Sequence, residues 1–228
     1  FRRGRPMKTT LSRRALVAGG VASSLAGFGA HAQQPWPNRG ITLIVPFTPG
    51  GSTDILARAL ANEVRTALNQ EVVVITRAGA SGAISVGEVV AAKPDGYTLG
   101  INPSSVFTLA FHFMDTRPDF IDFIDPLVMV ARQRVGTAVK GDSPDKTLKD
   151  FIEFARRNPG KASIGVPGIG TSVEVFARAL LYTAKVDAVV VPFKGDSGVN
   201  TALLGGQITA GAMSAAGFAQ QVQKYNFQ

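Results

Sequence analysis

The sequence contains no cysteine and only two histidines. Disulfides, thiolate catalysis and cysteine-ligated metal sites are therefore excluded. His112 is the one histidine beyond residue 32, so a histidine-based metal site lacks ligands and a serine hydrolase lacks its usual base. Neither a G-x-S-x-G elbow nor a phosphate loop ending in Gly-Lys-Ser/Thr occurs. We expect a protein that is not an enzyme and has no cofactor and no metal, with His112 as a structural or partly buried residue.

Acidic residues are absent from residues 1–32, which hold six of the 24 Lys and Arg side chains. The rest of the chain is nearly neutral, with 18 basic and 16 acidic residues, so the net charge of +8 predicts no nucleic-acid partner. The leader has a basic start after Met7, a short apolar run at 15–30 and an A-x-A site ending at Ala32. That order is typical of an export signal and predicts a periplasmic protein. The adjacent Arg13 and Arg14 leave twin-arginine and ordinary secretory export equally open.

Strand and helix patterns alternate from residue 40 onward. Short apolar strands are predicted at 41–45, 72–75, 97–101, 162–166, 188–191 and 207–213, and a further apolar run lies at 135–139. Helices are predicted at 53–68, 83–92, 148–157, around 175–180 and at 197–204. In the helix at 148–157, one apolar face combines Leu148, Phe151, Ile152 and Ala155, and residues 114–126 are predicted to form a surface connection. This alternation indicates an α/β fold with mostly parallel sheets covered by helices on both faces. The pattern restarts near residue 133, which predicts a first lobe at 33–132, a second lobe at 133–228 and a ligand cleft between them.

The stretch 41–54 carries the most informative local signal, because a buried strand turns directly into a helix. Gly50 and Gly51 would let a ligand approach the main chain, and Ser52 and Thr53 would add hydroxyl donors. The free N–H groups and dipole of the helix start favour an anion there. An alternative stays equally open, in which Ser52 or Thr53 merely caps the helix and Asp54 complements its dipole.

Several motifs along the chain carry a resemblance to a known family. In order they are Trp36-Pro37-x-Arg39, the stretch 41–54, Pro94-Asp-Gly-Tyr-Thr-Leu99, Lys146-Thr-Leu-Lys-Asp-Phe151, Gly168-Ile-Gly-Thr-Ser172, Val191-Pro-Phe-Lys-Gly195 and Leu203-Leu-Gly-Gly-Gln207. The ordered set resembles the periplasmic substrate-binding proteins of tripartite tricarboxylate transporters, the Bug-type receptors. The resemblance implies a two-lobed, type II-like periplasmic-binding-protein fold that closes on a small carboxylate. It also implies delivery to the membrane subunits of a secondary transporter, and a monomer when the chain is complete.

The resemblance further assigns candidate ligand-binding residues to turns at strand ends in both lobes. They are Thr48, Gly50, Gly51, Ser52, Thr53, Asp54, Gly79, Ala80, Ser81, Ser104, Gly168, Gly170, Thr171, Ser172 and Lys194. Lys194 has an alternative interpretation as a simply exposed side chain.

The chain departs from the family pattern at three places. The second loop reads Thr76-Arg-Ala-Gly-Ala-Ser-Gly82 where the family shows Asn-Arg-Pro-Gly-Ala-Gly-Gly. Glu174 replaces a residue that is often histidine, and it would either offset the helix dipole or face the cleft and repel an anion. Met213-Ser214 replaces a usual Phe-Asp and so removes a partner for an amino group or hydroxyl.

Family members usually continue beyond the point where this sequence stops. We therefore expect the C-terminal part of the first lobe to be missing and the chain to be poorly soluble. Two other functions stay open beside the receptor: a hydrolase-like periplasmic enzyme on the same scaffold, and a ligand sensor for a membrane kinase.

Overall fold

The structure is a computed structural model that describes residues 35–113 and 122–225 of the chain. Contacts divide the chain into two units, Phe1–Trp36 and Pro37–Gln228, and all helices and strands given below lie in the second. The predicted export signal, its cleavage site and the last three residues lie outside the described residues. The predicted lobe boundary between residues 132 and 133 stays a prediction.

The first sheet has three parallel strands in the order β2-β1-β3. They are β1 (Ile41–Val45), β2 (Val72–Thr76) and β3 (Thr98–Gly100). The helix α1 (Ser52–Leu68) connects β1 to β2, and α2 (Ala83–Ala91) connects β2 to β3. This is the βαβ connection that parallel pairing requires, and it confirms the predicted order of elements up to residue 101.

Helices cover both faces of the first sheet. Leu43 and Val45 pack on one face against Leu56, Ala57 and other apolar residues of α1. On the other face, the position that a Cβ on Gly100 would take lies only 2.9 Å from Val89 Cγ2 of α2. Because successive strand residues point to opposite faces, strands covered on both sides are mostly apolar, as β1 is at every position except Thr42.

The second sheet has four strands in the order β4-β7-β5-β6. They are β4 (Val135–Ala138), β5 (Ser163–Val166), β6 (Val189–Pro192) and β7 (Ala210–Ser214). All neighbours are parallel except β4 and β7, which pair antiparallel with Val135 opposite Ser214. The sheet is thus mostly parallel, as the sequence predicted.

Two pairs of helices enclose the second sheet. One face packs against α4 (Leu148–Arg157) and α5 (Ser172–Ala184) in a cluster centred on Phe151 and Ile164. The opposite face packs against α6 (Asp196–Leu204) and α7 (Ala215–Tyr225) in a cluster that includes Met213. A short α3 (Ser105–Thr108) follows β3 in the first half of the chain.

Two sequence predictions about the second half are wrong in detail. The last predicted strand starts at residue 210 and not at 207, because Gly206 turns the chain with a φ of 69° and Gln207 N–H bonds back to the Ala202 carbonyl. Leu148, predicted on the buried face of its helix, is 45% exposed. It lies in the first turn of α4, beyond the edge of the core that Phe151 and Ala155 fill.

Residues 124–134 form neither helix nor strand, and Leu127, Val128 and Met129 are exposed there. Part of the predicted surface connection, residues 114–121, lies outside the described residues. None of the helices in the described ranges combines the length and the apolar character that a membrane crossing needs.

Candidate functional site

A small cavity of about 20 Å³ lies where loops that follow strands of both sheets meet. Four helices begin at it, so its wall contains the first residues of α1, α3, α5 and α6. The lining residues are Phe47, Gly51, Ser52, Thr53, Pro103, Ser105, Gln133, Pro167, Thr171, Ser172, Val173 and Asp196. The volume suffices for about one water molecule.

The start of α1 is held by a side chain from the other half of the molecule. Gly51 occupies the cap position, and no side-chain hydroxyl caps the helix. Ser52 instead donates both its N–H and its Oγ hydroxyl to Asp196 Oδ2, at 3.3 and 2.7 Å. The hypothesis that Ser52 or Thr53 is only a helix cap is therefore wrong.

Asp196 is the centre of a buried polar network. Its Oδ2 also accepts a hydrogen bond from the Ser214 hydroxyl at 3.0 Å, and Ser214 Oγ accepts one from Gly217 N–H at 3.0 Å. Gln133 Nε2 reaches the same group by donating to Ser52 Oγ at 3.3 Å. A Cβ on Gly217 would lie 2.4 Å from Asp196 Oδ2, so a glycine is required beside the carboxylate.

Thr48 forms a second link between the two sheets' loops. Its N–H and hydroxyl both donate to the Lys194 carbonyl, at 3.2 and 2.9 Å. The hydroxyls of Thr48 and Ser197 are 2.6 Å apart and share a hydrogen bond. The side chain of Lys194 takes no part in these contacts and is exposed. Lys194 contributes only its carbonyl to these contacts, which agrees with the alternative interpretation of Lys194 as an exposed side chain.

The carboxylate of Asp54 closes back on its own loop. Its Oδ2 accepts hydrogen bonds from Gly50 N–H and Arg58 Nε, both at 3.0 Å, and Arg58 Nη2 lies 2.9 Å from Oδ1. Burial raises the pKa of Asp54, but the Arg58 and Gly50 hydrogen bonds and the Arg58 charge outweigh it, and the net effect lowers the pKa. The site thus gains little net negative charge from Asp54.

Helix α5 repeats this arrangement in the second half of the chain. Glu174 Oε2 accepts from Gly170 N–H at 2.6 Å, and Arg178 donates twice to Oε1 at 2.9 and 2.8 Å. Gly170 and Gly50 both adopt a positive φ, 70° and 79°, which places the N–H towards the carboxylate. Glu174 is buried and ion-paired, so it does not face the cleft as a free anion.

The two helix starts leave main-chain donors at the cavity. Within the described ranges, no hydrogen bond is found from the N–H groups of Thr53 in α1 or of Ser172 and Val173 in α5. All three residues line the cavity. Such first-turn N–H groups have no partner inside the helix and carry the positive end of its dipole, which favours a bound anion.

Comparison with known proteins gives the family of this chain. The family described as tripartite tricarboxylate transporter family receptor matches residues 56–228. The chain belongs to this receptor family. It is 34% identical to a UPF0065 protein of Cupriavidus necator over 87% of its own length, and 30% identical to Protein BugT of Bordetella pertussis over 86%. The fold of the receptor chain is therefore the α/β binding-protein fold that the sequence predicted.

Solved structures give the same result. A protein of R. palustris superposes with a TM-score of 0.78 at 27% identity, over 85% of this chain and 65% of that one. The receptor chain spans 61% of the length of both curated relatives named above.

The structure brings only some of the predicted ligand residues to the cavity. Gly51, Ser52, Thr53, Thr171 and Ser172 line it. Gly50, Asp54 and Gly170 instead shape the loops behind it, and Thr48 and Lys194 connect those loops. Gly168 packs beside Ser81, since a Cβ on Gly168 would lie 3.0 Å from Ser81 Oγ. Gly79, Ala80 and Ser104 lie in or next to short helical turns outside the lining. A ligand-binding role for the predicted residues stays a prediction.

Sequence reasoning missed several residues of the receptor's cavity. Asp196 is the most important of them. It directly follows Gly195, the last residue of a turn that the sequence analysis had singled out. Its acidic side chain at the first position of a helix after a strand was the available signal. Ser105 lines the cavity in place of the predicted Ser104, and Gln133 enters from a segment without periodicity.

His112 does not occupy the expected position. It ends a 3₁₀ turn, Ala110–His112, and its side chain is exposed, so the partly buried alternative is wrong and the structural one stays a prediction. Among the described residues, no three His, Asp or Glu side chains come together as they would around a metal ion.

Replacing Asp54 with asparagine is expected to destabilise the receptor chain by about 1.5–3 kcal/mol at neutral pH, since the charged hydrogen bonds to Gly50 and Arg58 are lost. Because folding lowers the pKa of Asp54, the stability that its ionised form contributes is present above about pH 4 and disappears as the pH falls through the folded-state pKa. Urea unfolding of parent and variant should therefore give a stability difference that shrinks between neutral pH and pH 3. A stability difference that is constant with pH would contradict a stabilising role for the ionised Asp54 carboxylate.

Proposed function

We propose that the receptor chain binds a small carboxylate in the cleft between its two sheets. The observation that carries the proposal is the convergence of α1 and α5, whose unpartnered N–H groups at Thr53, Ser172 and Val173 border one cavity. Two helix starts at one cavity provide main-chain donors and two dipole ends, which together favour a negatively charged group. The hydroxyls of Thr53 and Ser172 supply further donors.

The two acids in the first turns of α1 and α5 do not counteract an anion strongly. Asp54 and Glu174 each turn back to a glycine N–H and pair with an arginine of the same helix. Their charges are therefore largely compensated in the loop behind the cavity. The R. palustris protein similar to this chain was solved with adipate, a dicarboxylate, which supports the same ligand class for this chain.

The cleft must widen to admit such a ligand. A cavity of about 20 Å³ holds one water, whereas a small dicarboxylate has about ten non-hydrogen atoms. Opening would break the Thr48 contacts with Lys194 and Ser197 and the Ser52 contacts with Asp196. These polar contacts are exposed or partly buried and have a modest net energy each, which is compatible with a hinge motion.

We further propose that the protein is exported to the periplasm and passes its ligand, as a monomer, to the membrane subunits of a secondary transporter. The support is the family membership together with the basic and apolar order of the leader. Its ligand is a small organic acid, and neither a cofactor nor a chemical step belongs to this function.

A thermal-shift screen followed by calorimetry tests the binding proposal. Adipate, succinate, malate, aspartate and nicotinate are added to the full chain, with the matching uncharged amides as controls. A ligand at about one hundred times its Kd adds about 2.7 kcal/mol, which corresponds to a rise in Tm of several degrees. We expect acids to raise the Tm and amides to leave it unchanged. Turnover of an ester or amide, or equal shifts for amides and acids, would contradict a carboxylate receptor.

A further inference from the structure

Asp196 differs from the other two acids at the cavity in having no cationic partner. It is 5% exposed, and none of the ion pairs found among the described residues includes it. Asp54 and Glu174 are buried to the same degree, but Arg58 and Arg178 pair with them. A buried carboxylate without a counter-charge is costly unless something compensates it, so its presence at the cavity needs an explanation.

The two oxygens of Asp196 have different environments. Oδ2 accepts all three recorded hydrogen bonds, from Ser52 N–H, Ser52 Oγ and Ser214 Oγ. Oδ1 accepts no hydrogen bond from the part of the chain that the structure describes. This oxygen is also not completely shielded from solvent. Since Asp196 lines the cavity, Oδ1 is the acceptor that a bound molecule can still reach.

This arrangement disfavours a plain carboxylate at the start of α1. Asp196 already uses the N–H and hydroxyl of Ser52, which an incoming carboxylate would otherwise receive. Its negative charge also repels a second anion placed beside it. Of the three open N–H groups, only that of Thr53 lies at α1, and the other two, of Ser172 and Val173, lie together at the other helix start. A ligand carboxylate therefore fits at α5, and a group that donates to an oxygen fits at Asp196.

We propose that Asp196 determines ligand specificity by selecting carboxylates that also carry an ammonium or hydroxyl group. The carboxylate binds at the start of α5, and the ammonium or hydroxyl donates to Asp196 Oδ1. This inference rests on the proposed function, because it assumes that the cleft binds a carboxylate. The inference goes beyond the proposed function by naming the second functional group of the ligand and the residue that recognises that group.

Ser214 adds an independent observation. Where the family usually has Phe-Asp, this chain has Met213-Ser214, which by sequence alone removes an acceptor at the end of β7. In the fold, Asp196 Oδ2 lies 3.0 Å from Ser214 Oγ. The Asp196 carboxylate, at the start of α6, therefore lies beside the end of β7, where the family usually has an aspartate. The smaller Ser214 side chain leaves room for it and donates to it.

The test compares three ligands of one carbon skeleton on the full chain. Succinate has no donor substituent, malate adds a hydroxyl and aspartate adds an ammonium. By calorimetry we expect the parent to bind aspartate at least about tenfold more tightly than succinate, with malate between them, since one hydrogen bond to a charged group is worth roughly that much. The substitution Asp196→Asn is isosteric and removes the charge. We expect the affinity of this variant for the ligand aspartate to fall about tenfold or more, and its affinity for succinate to rise. Asp187→Asn, which changes an exposed acid, is the matched control and should leave all three affinities unchanged.

Different failures have different meanings. If the parent binds succinate as tightly as aspartate, the inference is overturned while the carboxylate receptor stands. If Asp196→Asn weakens all three ligands by the same factor, Asp196 is structural and the inference is again overturned. If none of the acids binds to the parent or the variant, the proposed function itself fails. The preference of the parent is measured without any variant, so a variant that does not fold cannot conceal a negative result.

Discussion

Replacing Gly51 with valine is expected to abolish carboxylate binding, with a loss of a hundredfold or more. Gly51 lies at the cap of α1 and lines the cavity. A Cβ at this position would lie 3.5 Å from the Thr48 carbonyl and 3.7 Å from Asp196 N, which is ordinary contact. The two additional methyl groups of valine would extend from that contact into a cavity of about 20 Å³ and occupy the space of a ligand.

The size of the effect follows from the donors that would become inaccessible. A valine that fills the cavity would keep the ligand carboxylate away from the open N–H groups of Ser172 and Val173, which line the same cavity. Each hydrogen bond from a main-chain N–H to a carboxylate is worth about 1.5–3 kcal/mol, so the loss of these two corresponds to at least about a hundredfold in Kd. Gly51 has an ordinary negative φ of −81°, so valine creates no left-handed strain there. We therefore expect the Tm to change little while the affinity collapses, and calorimetry with the best ligand of the screen measures this.

Two variants control for the Gly51 substitution. Gly51→Ala adds only the Cβ, which fits, and should weaken binding far less than valine does. Lys194→Ala removes an exposed side chain but keeps the carbonyl that Thr48 uses, so it should also have a small effect. If Gly51→Val binds as well as the parent, the assignment of the first ligand loop is wrong. A large loss in Lys194→Ala would indicate recognition by a side-chain charge instead of the main chain.

Replacing Phe151 with alanine is expected to destabilise the fold by about 3–5 kcal/mol. Phe151 is 1% exposed and packs in the cluster between the second sheet and the helices α4 and α5. Truncation removes the buried ring and leaves a cavity that the rigid sheet cannot fill. Against a total stability of about 5–15 kcal/mol, this loss would lower the Tm by roughly 10 °C, as measured by circular dichroism or calorimetry.

Leu148→Ala, in the same helix, is the matched control. Leu148 is 45% exposed, so its truncation removes little buried surface, and we expect a change below about 1 kcal/mol. Equal destabilisation by the two substitutions would show that the packing of α4 differs from the structure described above. Because Phe151 lies away from the cavity, Phe151→Ala at low temperature should retain ligand affinity.

The sequence predicted most helices and strands of this chain because each carries a local signal. The β-branched run at 72–76 and the Asn158-Pro159-Gly160 stop after α4 determine element type within a few residues. Element ends were less well predicted. Polar and apolar residues alternate at 207–209, as they do in a strand. A hydrogen bond from Gln207 N–H to the Ala202 carbonyl nevertheless keeps Gln207 in the preceding turn.

The candidate site was predicted in part for the same reason. Glycine-rich turns after strands are visible in sequence, and Gly51 to Thr53 and Thr171 to Ser172 do meet at one cavity. The roles of the acids were not visible. Whether Glu174 faces the cleft or pairs with Arg178 depends on one side-chain orientation, and the Arg178 spacing of four residues was the only local hint.

The sequence by itself determined the class of the fold, the order of its elements and the likeness to a receptor family, since these depend on apolar periodicity, turn residues and ordered motifs. Only the tertiary structure decided which residues share the cavity. Ser52 and Asp196 are 144 positions apart in the chain, yet a 2.7 Å hydrogen bond joins them. No periodicity within either segment encodes that contact, because it arises from how two separate sheets direct their strand ends towards one another.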